Sequence, residues 1–177
     1  MTRTSLSERL QHFYQPRKSF LKVIGVISLI AFLTLPPFFS RFTFGWDGQF
    51  FSCMPGKWLF LVDAKDKQLE RGAIYALRAK AFPGVFKEDQ QLAKFLVGLP
   101  GDHVEANEYG LFVNGEQFAD DYVAAKWLSV DPVNLYGSKV LGENEYWFMG
   151  VGKMSFDSRY YGPLPFERIV GRAYALL

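Results

Sequence analysis

The sequence has few of the side chains that build metal centres and catalytic triads. Its 177 residues include one cysteine, Cys53, and two histidines, His12 and His103. One cysteine excludes a disulfide within the chain and a zinc site made of several thiolates. Because His12 lies in a polar N-terminal stretch, only His103 remains for a Ser-His-Asp triad, which argues against that triad. Hydrolytic chemistry would therefore need another base.

The sequence also lacks a large excess of charge of either sign. Lys and Arg number 20 and Asp and Glu number 18, which gives a net charge of +2, and no block of basic residues occurs. This balance gives no support to nucleic-acid binding. Apolar residues make up 49% and aromatic residues 18% of the chain, so one domain with a buried core is expected. The aromatic content favours β-rich or membrane-associated structure.

A long apolar segment lies near the N-terminus. Residues 23–40 carry no charge, and with Phe20 and Leu21 they approach the ~20 residues that span a bilayer. Pro36 and Pro37 stand near the end of the segment, where we expect the helix to stop. The residues that follow are bulky and offer no small-x-small cleavage site. The segment is therefore predicted to be a retained anchor rather than a cleaved signal peptide.

The flanking charges predict the orientation of this anchor. Five basic residues precede the apolar segment, whereas Arg41 is the single basic residue between it and Lys57. The positive-inside rule then puts the N-terminus in the cytoplasm. We expect a cytoplasmic tail at 1–19, a membrane anchor at 20–40 and an external domain at 41–177.

The external part of the chain is predicted to be mainly β. The turn-forming pair Asn114 and Gly115 directly follows an apolar strand pattern, which predicts a hairpin. Many short strands at this spacing indicate a β-barrel or sandwich. Residues 120–137 are predicted to form loops or short helices. The predicted strands are 57–62, 73–79, 93–97, 104–105, 111–113, 146–149 and 169–175.

Lys94 is the unusual residue of the third predicted strand. Alternate strand residues share a face, so Lys94 points to the same side as Leu92 and Leu96. If that side is the core, burial disfavours the charged lysine, and a neutral amine can act as a general base. The pattern by itself favours the commoner arrangement, an edge strand from which the lysine reaches water.

Two other segments carry candidate chemistry. In the turn at 52–56, Ser52 or Cys53 could present a nucleophilic side chain together with its own backbone N–H, although an ordinary turn explains the same residues. Farther along, Asp157 and Arg159 are two residues apart and, on an extended segment, would share a face with Ser155 and form an ion pair. A structural polar network is an equally good explanation of this second group.

These segments, in this order, resemble the bacterial type I signal peptidases, which are serine-lysine proteases of the membrane. A membrane span is followed by a Ser-x-x-Pro box at 52–55 and by the sequence KFLVGLPGD at 94–102, which is close to the family's Lys-Arg-x-x-Gly-x-Pro-Gly-Asp. A Ser-x-Asp-Ser-Arg-Tyr box follows at 155–160. Shorter matches lie at 71–75, 113–116, 146–150 and 169–173.

The resemblance implies a signal-peptidase-like β domain after a single transmembrane helix, with the activity of a serine endopeptidase. Ser52 is then the nucleophile and Lys94 the general base, with support from Ser155, Asp157 and Arg159, and no cofactor or metal is needed. The implied substrates are exported precursors with small residues at the first and third positions before the cut.

The resemblance also implies a location and partners. The enzyme would span the bacterial inner membrane once, with its catalytic domain in the periplasm and the lipid bilayer as a partner. The single span and short length are similar to the TraF-type peptidases of conjugative transfer, which process pilin precursors. A propilin substrate and a secretion or conjugation machinery are therefore further expected partners.

Several positions depart from the family's pattern. Gly56 replaces a threonine, and Phe50 stands where many members carry the hydroxyl that completes the oxyanion hole. Residues 150–153 (GVGK) replace a Gly-Asp-Asn-Arg run and leave the segment one residue shorter. The conjugative branch often reads Ser-x-Pro, a register that would make Cys53 the nucleophile instead of Ser52.

Besides a membrane-tethered β domain with no active site, which the ordered boxes argue against, two other functions stay open. The first is a transpeptidase that cyclises a pilin, in which an amine rather than water captures the acyl-enzyme. The second is a catalytically inactive homologue that serves as an assembly scaffold. Retention of Lys94, Ser155 and Asp157 argues against the second.

Overall fold

The computed structural model describes residues 18–47, 53–81, 85 and 87–177. The chain divides into two compact units, Met1–Arg41 and Phe42–Leu177. Predictions that concern Phe50 and Ser52 lie outside the described residues.

The first unit contains the helix α1, Lys18–Arg41. It has 24 residues and a mean hydropathy of 2.1 in its most apolar stretch, so it is long and apolar enough to cross a membrane. The expected stop at the prolines is wrong, because Pro36 and Pro37 lie inside the helix. Each proline removes one backbone donor. The hydrogen bonds of the neighbouring turns nevertheless carry the helix to Arg41.

The second unit is built around a six-stranded antiparallel sheet within the described residues. The order of its strands is β1-β2-β10-β3-β4-β9. Neighbouring strands pair in register; Tyr75 of the third strand, for example, lies opposite Lys94 of the fourth. The strands are β1 Phe42–Trp46, β2 Leu59–Asp63, β3 Ile74–Arg78, β4 Gln91–Gly98, β9 Trp147–Met149 and β10 Ile169–Ala175.

Both faces of this sheet are covered by side chains. One cluster contains Tyr75, Leu96 and Phe148, which are fully buried. Another contains Met54, Phe60 and residues of β3 and β10 on the opposite face. Burial on both faces explains why β4 is nearly continuous in apolar residues, and it makes Lys94 an inward-facing exception.

A four-stranded antiparallel sheet follows, in the order β7-β6-β5-β8. The predicted hairpin is confirmed: Asn114 and Gly115 both have positive φ, 51° and 82°, which a tight two-residue turn requires. The strands are β5 His103–Asn107, β6 Gly110–Val113, β7 Glu116–Ala119 and β8 Gly137–Val140.

The prediction of a mainly β fold is confirmed, and the described residues add elements that it missed. Strands β1 and β8 were not expected from the sequence, and β7 was implied only as the second strand of the predicted hairpin. Residues 120–137 contain a short helix, α2 (Val123–Trp127), and a 3-10 turn (Pro132–Leu135), in agreement with the expected short helices. One more short helix, α3 (Ser158–Tyr161), begins directly after Asp157.

Candidate active site

Lys94 is the centre of the candidate site. Its side chain is fully buried, on the same face of β4 as Leu92 and Leu96. The arrangement favoured by the strand pattern alone, a lysine that reaches water, is therefore wrong. The Nζ atom of Lys94 lies 2.8 Å from the hydroxyl oxygen of Ser155, to which it donates a hydrogen bond. A buried amine held by one hydroxyl is the arrangement expected of an oriented base.

The expected ion pair between Asp157 and Arg159 is present and buried. Nε of Arg159 donates to Oδ1 of Asp157 at 2.8 Å, and Nη2 donates to Oδ2 at 2.9 Å. Burial opposes the charged guanidinium, but the hydrogen bonds and charge of Asp157 outweigh it and raise the pKa of Arg159. Arg159 also donates to the backbone carbonyl of Ser155 at 3.3 Å. The ion pair therefore fixes the backbone of Ser155, the residue that holds Lys94.

The local backbone of this pair differs from the prediction. The segment was expected to be extended, whereas Asp157 caps the N-terminus of α3 and accepts a hydrogen bond from the backbone N–H of Arg159. Aspartate is a favoured capping residue because its carboxylate satisfies an unpaired donor of the first turn. The two side chains meet across this cap and not along a strand face.

Residues 150–152 join the ion pair to the turn that contains Cys53. The backbone N–H of Gly150 donates to Oδ2 of Asp157 at 3.1 Å. The next two backbone N–H groups, of Val151 and Gly152, both donate to the carbonyl oxygen of Cys53, at 3.0 and 3.2 Å. Asp157 is thus connected through Arg159 to Ser155, which holds Lys94. Through Gly150 and the two residues after it, Asp157 is also connected to the turn that follows Ser52 in the chain.

Gly150 allows these groups to approach each other. A Cβ atom at this position would overlap the hydroxyl of Ser155 and would lie 2.8 Å from the carbonyl oxygen of Cys53. In the sequence, residue 150 ends the match at 146–150 and begins the segment that departs from the family's pattern, and neither observation assigned it a role. The glycine just before the supporting box is the signal that could have identified this role.

Cys53, the predicted alternative nucleophile, is buried, with 8% of its surface exposed. Ser52 lies outside the described residues. Cys53 and Lys94 both line a cavity of about 340 Å³, a size typical of small ligand sites. Small side chains from four strands leave this space open. The other described lining residues are Phe44, Gly45, Trp46, Asp47, Phe60, Val62, Ala76, Gln90, Gln91, Leu92, Ala93 and Ala173.

A second polar network secures the end of β4. Arg71 donates from Nη2 to both carboxylate oxygens of Asp102, at 3.0 and 2.8 Å, and from Nη1 to the carbonyl of Val97. Asn114 of the hairpin turn donates to the same carboxylate at 2.6 Å. Sequence reasoning matched residues 71 and 102 to the family's boxes but gave them no role. The contacts fix the strand that carries Lys94 to the four-stranded sheet.

Comparison with known proteins matches the chain to one protein family. The model of the family described as signal peptidase, peptidase S26, matches residues 17–177. The chain is 34% identical over 112 residues to a probable signal peptidase I-2 of Synechocystis sp., which covers 59% of this chain and 46% of that protein. It is 30% identical over 90 residues to signal peptidase I V of Bacillus subtilis, covering 45% and 54% of the two chains.

A third relative and a solved structure extend this comparison. Signal peptidase I of Bacillus amyloliquefaciens is 35% identical over 85 residues, which are 44% of each chain. The solved structure of a signal peptidase I from Enterococcus faecalis is 27% identical with a TM-score of 0.40, and the match covers 60% of this chain and 97% of that one. The chain spans about half the length of the curated relatives that it matches.

Proposed function

Because the chain belongs to the signal peptidase family, peptidase S26, we propose that it is a serine endopeptidase that removes leader peptides from exported precursor proteins. The observation that carries the proposal is the fully buried Lys94, whose amine lies 2.8 Å from the Ser155 hydroxyl. Lys94 also lines the same cavity as Cys53. A lysine can replace histidine as the base of a serine protease when it is neutral and correctly oriented.

In the proposed reaction, the neutral amine of Lys94 takes the proton of the Ser52 hydroxyl. The serine oxygen attacks the scissile carbonyl, the peptide C–N bond breaks, and the proton passes to the leaving amine. Water then attacks the acyl-enzyme with the same amine as base, which releases the acid product and restores Ser52. The backbone N–H of the nucleophile stabilises the oxyanion. Cys53 is the alternative nucleophile, in which case sulfur takes the place of oxygen.

The three supporting residues have separate tasks in this proposal. Ser155 directs the amine through its hydrogen bond, and Arg159 holds the backbone of Ser155. Asp157 neutralises Arg159 and binds the N–H of Gly150. Fixed positions matter because a small displacement of a base from its proton donor costs much of the rate.

We further propose that the substrate cleft prefers small side chains near the cut. Four small residues from different strands, Gly45, Ala76, Ala93 and Ala173, line the cavity beside Lys94 and Cys53. Small apolar side chains in this part of the wall leave room for the small aliphatic side chains of an extended peptide. This preference agrees with the substrates that the family resemblance implies, which have small residues at the first and third positions before the cut.

The proposed setting is the bacterial inner membrane. Helix α1 has the length and composition of a membrane span, and the basic residues before it predict a cytoplasmic N-terminus. The catalytic unit would then lie in the periplasm. Processing of a propilin in conjugative transfer, by a peptidase of the TraF type, is the more specific prediction.

Cleavage of a precursor by purified full-length chain in lipid vesicles tests the proposal. The substrate carries a leader with alanine at the first and third positions before the cut. We expect Lys94→Ala and Ser52→Ala to abolish cleavage, with Cys53→Ala and Cys53→Ser retaining it. Lys126→Ala, at an exposed lysine of α2, is the control and should match the wild type.

Other results would change the assignment. Loss with Cys53→Ala but not with Ser52→Ala makes Cys53 the nucleophile. A product one water lighter than the hydrolysed chain identifies cyclisation by a transpeptidase. If the wild type and Lys94→Ala are equally inactive while both support assembly in cells, the scaffold function replaces the peptidase.

A further inference from the structure

Asp47 is a charged residue in the wall of the cavity that the proposed mechanism does not use. It directly follows the last residue of β1, and it lines the cavity together with Cys53 and Lys94. Among the described lining residues, Asp47 is the one acid and Lys94 the one base. Neither the family resemblance nor the mechanism assigns a role to this aspartate.

The pairing of β1 with β2 gives the direction of the Asp47 side chain. Gly45 lies opposite Phe60, and a Cβ atom on Gly45 would lie 3.9 Å from the Cβ of Phe60. The cavity is on this face of the sheet, because Phe60 is buried and lines it. The pairing continues to Asp47, whose backbone N–H donates to the carbonyl oxygen of Trp58 at 2.9 Å. Alternate strand residues share a face, so the Asp47 side chain projects to the same side as Gly45.

The charge of the cavity wall favours a positively charged group. In the proposed reaction Lys94 acts as a neutral amine, so Asp47 then carries the one formal charge among the described lining residues. Asp47 is half-buried, and a partly desolvated carboxylate attracts a cation more strongly than one in open water. A carboxylate has about four acceptor positions, so its contacts within the chain still leave room for a substrate group.

Asp47 lies beyond the part of the wall that we assign to small substrate side chains. Gly45 belongs to that part, and Asp47 is two residues farther along the strand direction of β1, about 6.6 Å away in extended backbone. Side chains on one face of an extended peptide repeat at the same interval. A substrate side chain beside Asp47 would therefore be a different one from the small side chain beside Gly45.

We propose that Asp47 determines specificity by binding a basic side chain, lysine or arginine, of the precursor near its cut. The inference rests on the proposed peptidase function and adds a charged subsite to the part of the cavity that takes small side chains. The ammonium or guanidinium group of the substrate would donate charge-assisted hydrogen bonds to the Asp47 carboxylate.

A lysine scan of the precursor tests the inference. Each substrate carries either lysine or glutamine at one tested position, from the seventh before the cut to the third after it. All of them keep alanine at the first and third positions before the cut. With full-length chain in uncharged phosphatidylcholine vesicles, we expect one position at which lysine raises kcat/KM about fivefold over glutamine, the upper range for a partly exposed ion pair.

Substitutions of Asp47 make the test specific. Asp47→Asn should remove the lysine preference at that position, and Asp47→Lys should replace it by a preference for glutamate over glutamine. Asp120→Asn, at an exposed aspartate outside the cavity, is the control and should keep the lysine preference. The inference is overturned if the wild type prefers lysine at no position, if the preference survives Asp47→Asn, or if the control loses it equally.

A binding measurement separates this inference from the peptidase proposal. The same peptides are added to full-length Lys94→Ala chain, and fluorescence anisotropy measures their affinity. One lysine peptide should bind about fivefold more tightly than its glutamine counterpart, and the further change Asp47→Asn should make the two equal. If the wild type cleaves precursors but lysine and glutamine peptides bind equally, the inference fails and the peptidase proposal stands. If nothing is cleaved, the peptidase proposal fails, and the binding comparison still decides whether Asp47 selects a basic side chain.

Discussion

Lys94 depends on two neighbours of very different chemistry, a hydroxyl that holds it and a glycine that leaves room for the hydroxyl. The Ser155 hydroxyl lies 2.8 Å from the amine, and Gly150 is so close to it that a Cβ atom at residue 150 would overlap the hydroxyl. Protein cores are packed too densely to absorb an added methyl group between fixed polar atoms. The orientation of the Lys94 amine is therefore sensitive to a residue that carries no reactive group.

We predict that Gly150→Ala lowers precursor cleavage by more than about tenfold, because the new Cβ would push Ser155 and the Cys53 carbonyl apart. Such overpacking should also lower the free energy of unfolding by about 1–3 kcal/mol. Cleavage rates and urea unfolding of the same preparation measure the two effects.

Gly137→Ala is the control for this substitution. Gly137 is exposed, lies in β8, and an added Cβ would meet no atom within 4 Å. It should behave as the wild type in both assays. Equal activity of Gly150→Ala and the wild type would show that residues 150–152 do not constrain Ser155.

Single residues of this site were predictable to different degrees. The period of two in β4 identified Lys94 as a candidate, but whether its face is buried depends on the packing of both sides of the sheet. The spacing of Asp157 and Arg159 predicted their ion pair, yet α3 is only four residues long, too short for a helical pattern to reveal the cap that brings them together. Gly150 lies shortly before the box at 155–160, which is a local signal, but its close approach to the carbonyl of Cys53, which is distant in the chain, could not be predicted from the sequence.

At the scale of elements, the end of β4 is held by the carboxylate of Asp102. Burial acts to raise the pKa of Asp102, but hydrogen bonds from the Leu99 N–H, the Asn114 amide and the Arg71 guanidinium outweigh it and hold that pKa below its usual value. A carboxyl group with a lowered pKa in the folded state stabilises the protein above its unfolded pKa, and this stability is lost as pH falls through the folded value.

We predict that Asp102→Asn lowers the free energy of unfolding at pH 7 and reduces its loss below about pH 4, where the unfolded carboxyl group titrates. Urea unfolding between pH 7 and pH 3 measures both. Asp120→Asn, at an exposed aspartate, should keep the wild-type pH dependence. An acid dependence in Asp102→Asn equal to that of the wild type would contradict a stabilising role for this network.

Elements with a strong local pattern were predicted, and those without one were missed. Strands β3, β4 and β10 have long apolar or alternating patterns and agree with the expected segments within a few residues. Strand β8 is exposed at every position, so it has no alternation to detect. In α1 the apolar run predicted the anchor to residue 40, but the stop expected at the prolines was wrong, since the helix continues through them to Arg41.

At the scale of the whole molecule, the unit Phe42–Leu177 carries exposed aromatic residues on an edge strand. Trp46 of β1 is 77% exposed and Phe44 is 57% exposed. Trp46 meets the half-exposed Trp58 edge to face at 6.0 Å. Aromatic side chains of this kind favour the interface between membrane and water. The same preference predicts this role for Phe38, Phe39 and Phe42, which lie at or just after the end of the predicted anchor.

We predict that replacing Phe44 and Trp46 by serine weakens binding of the 42–177 unit to uncharged phosphatidylcholine vesicles by at least about tenfold, since two large apolar side chains no longer leave water on binding. Co-sedimentation with the vesicles measures the partition.

The control replaces Tyr109 and Trp127 by serine; these are 69% and 72% exposed and lie outside the six-stranded sheet. Unchanged binding of the first variant, or an equal loss in both, would mean that β1 does not direct the unit to the bilayer. Because neutral vesicles exclude attraction by basic residues, a selective loss would assign the contact to these two rings.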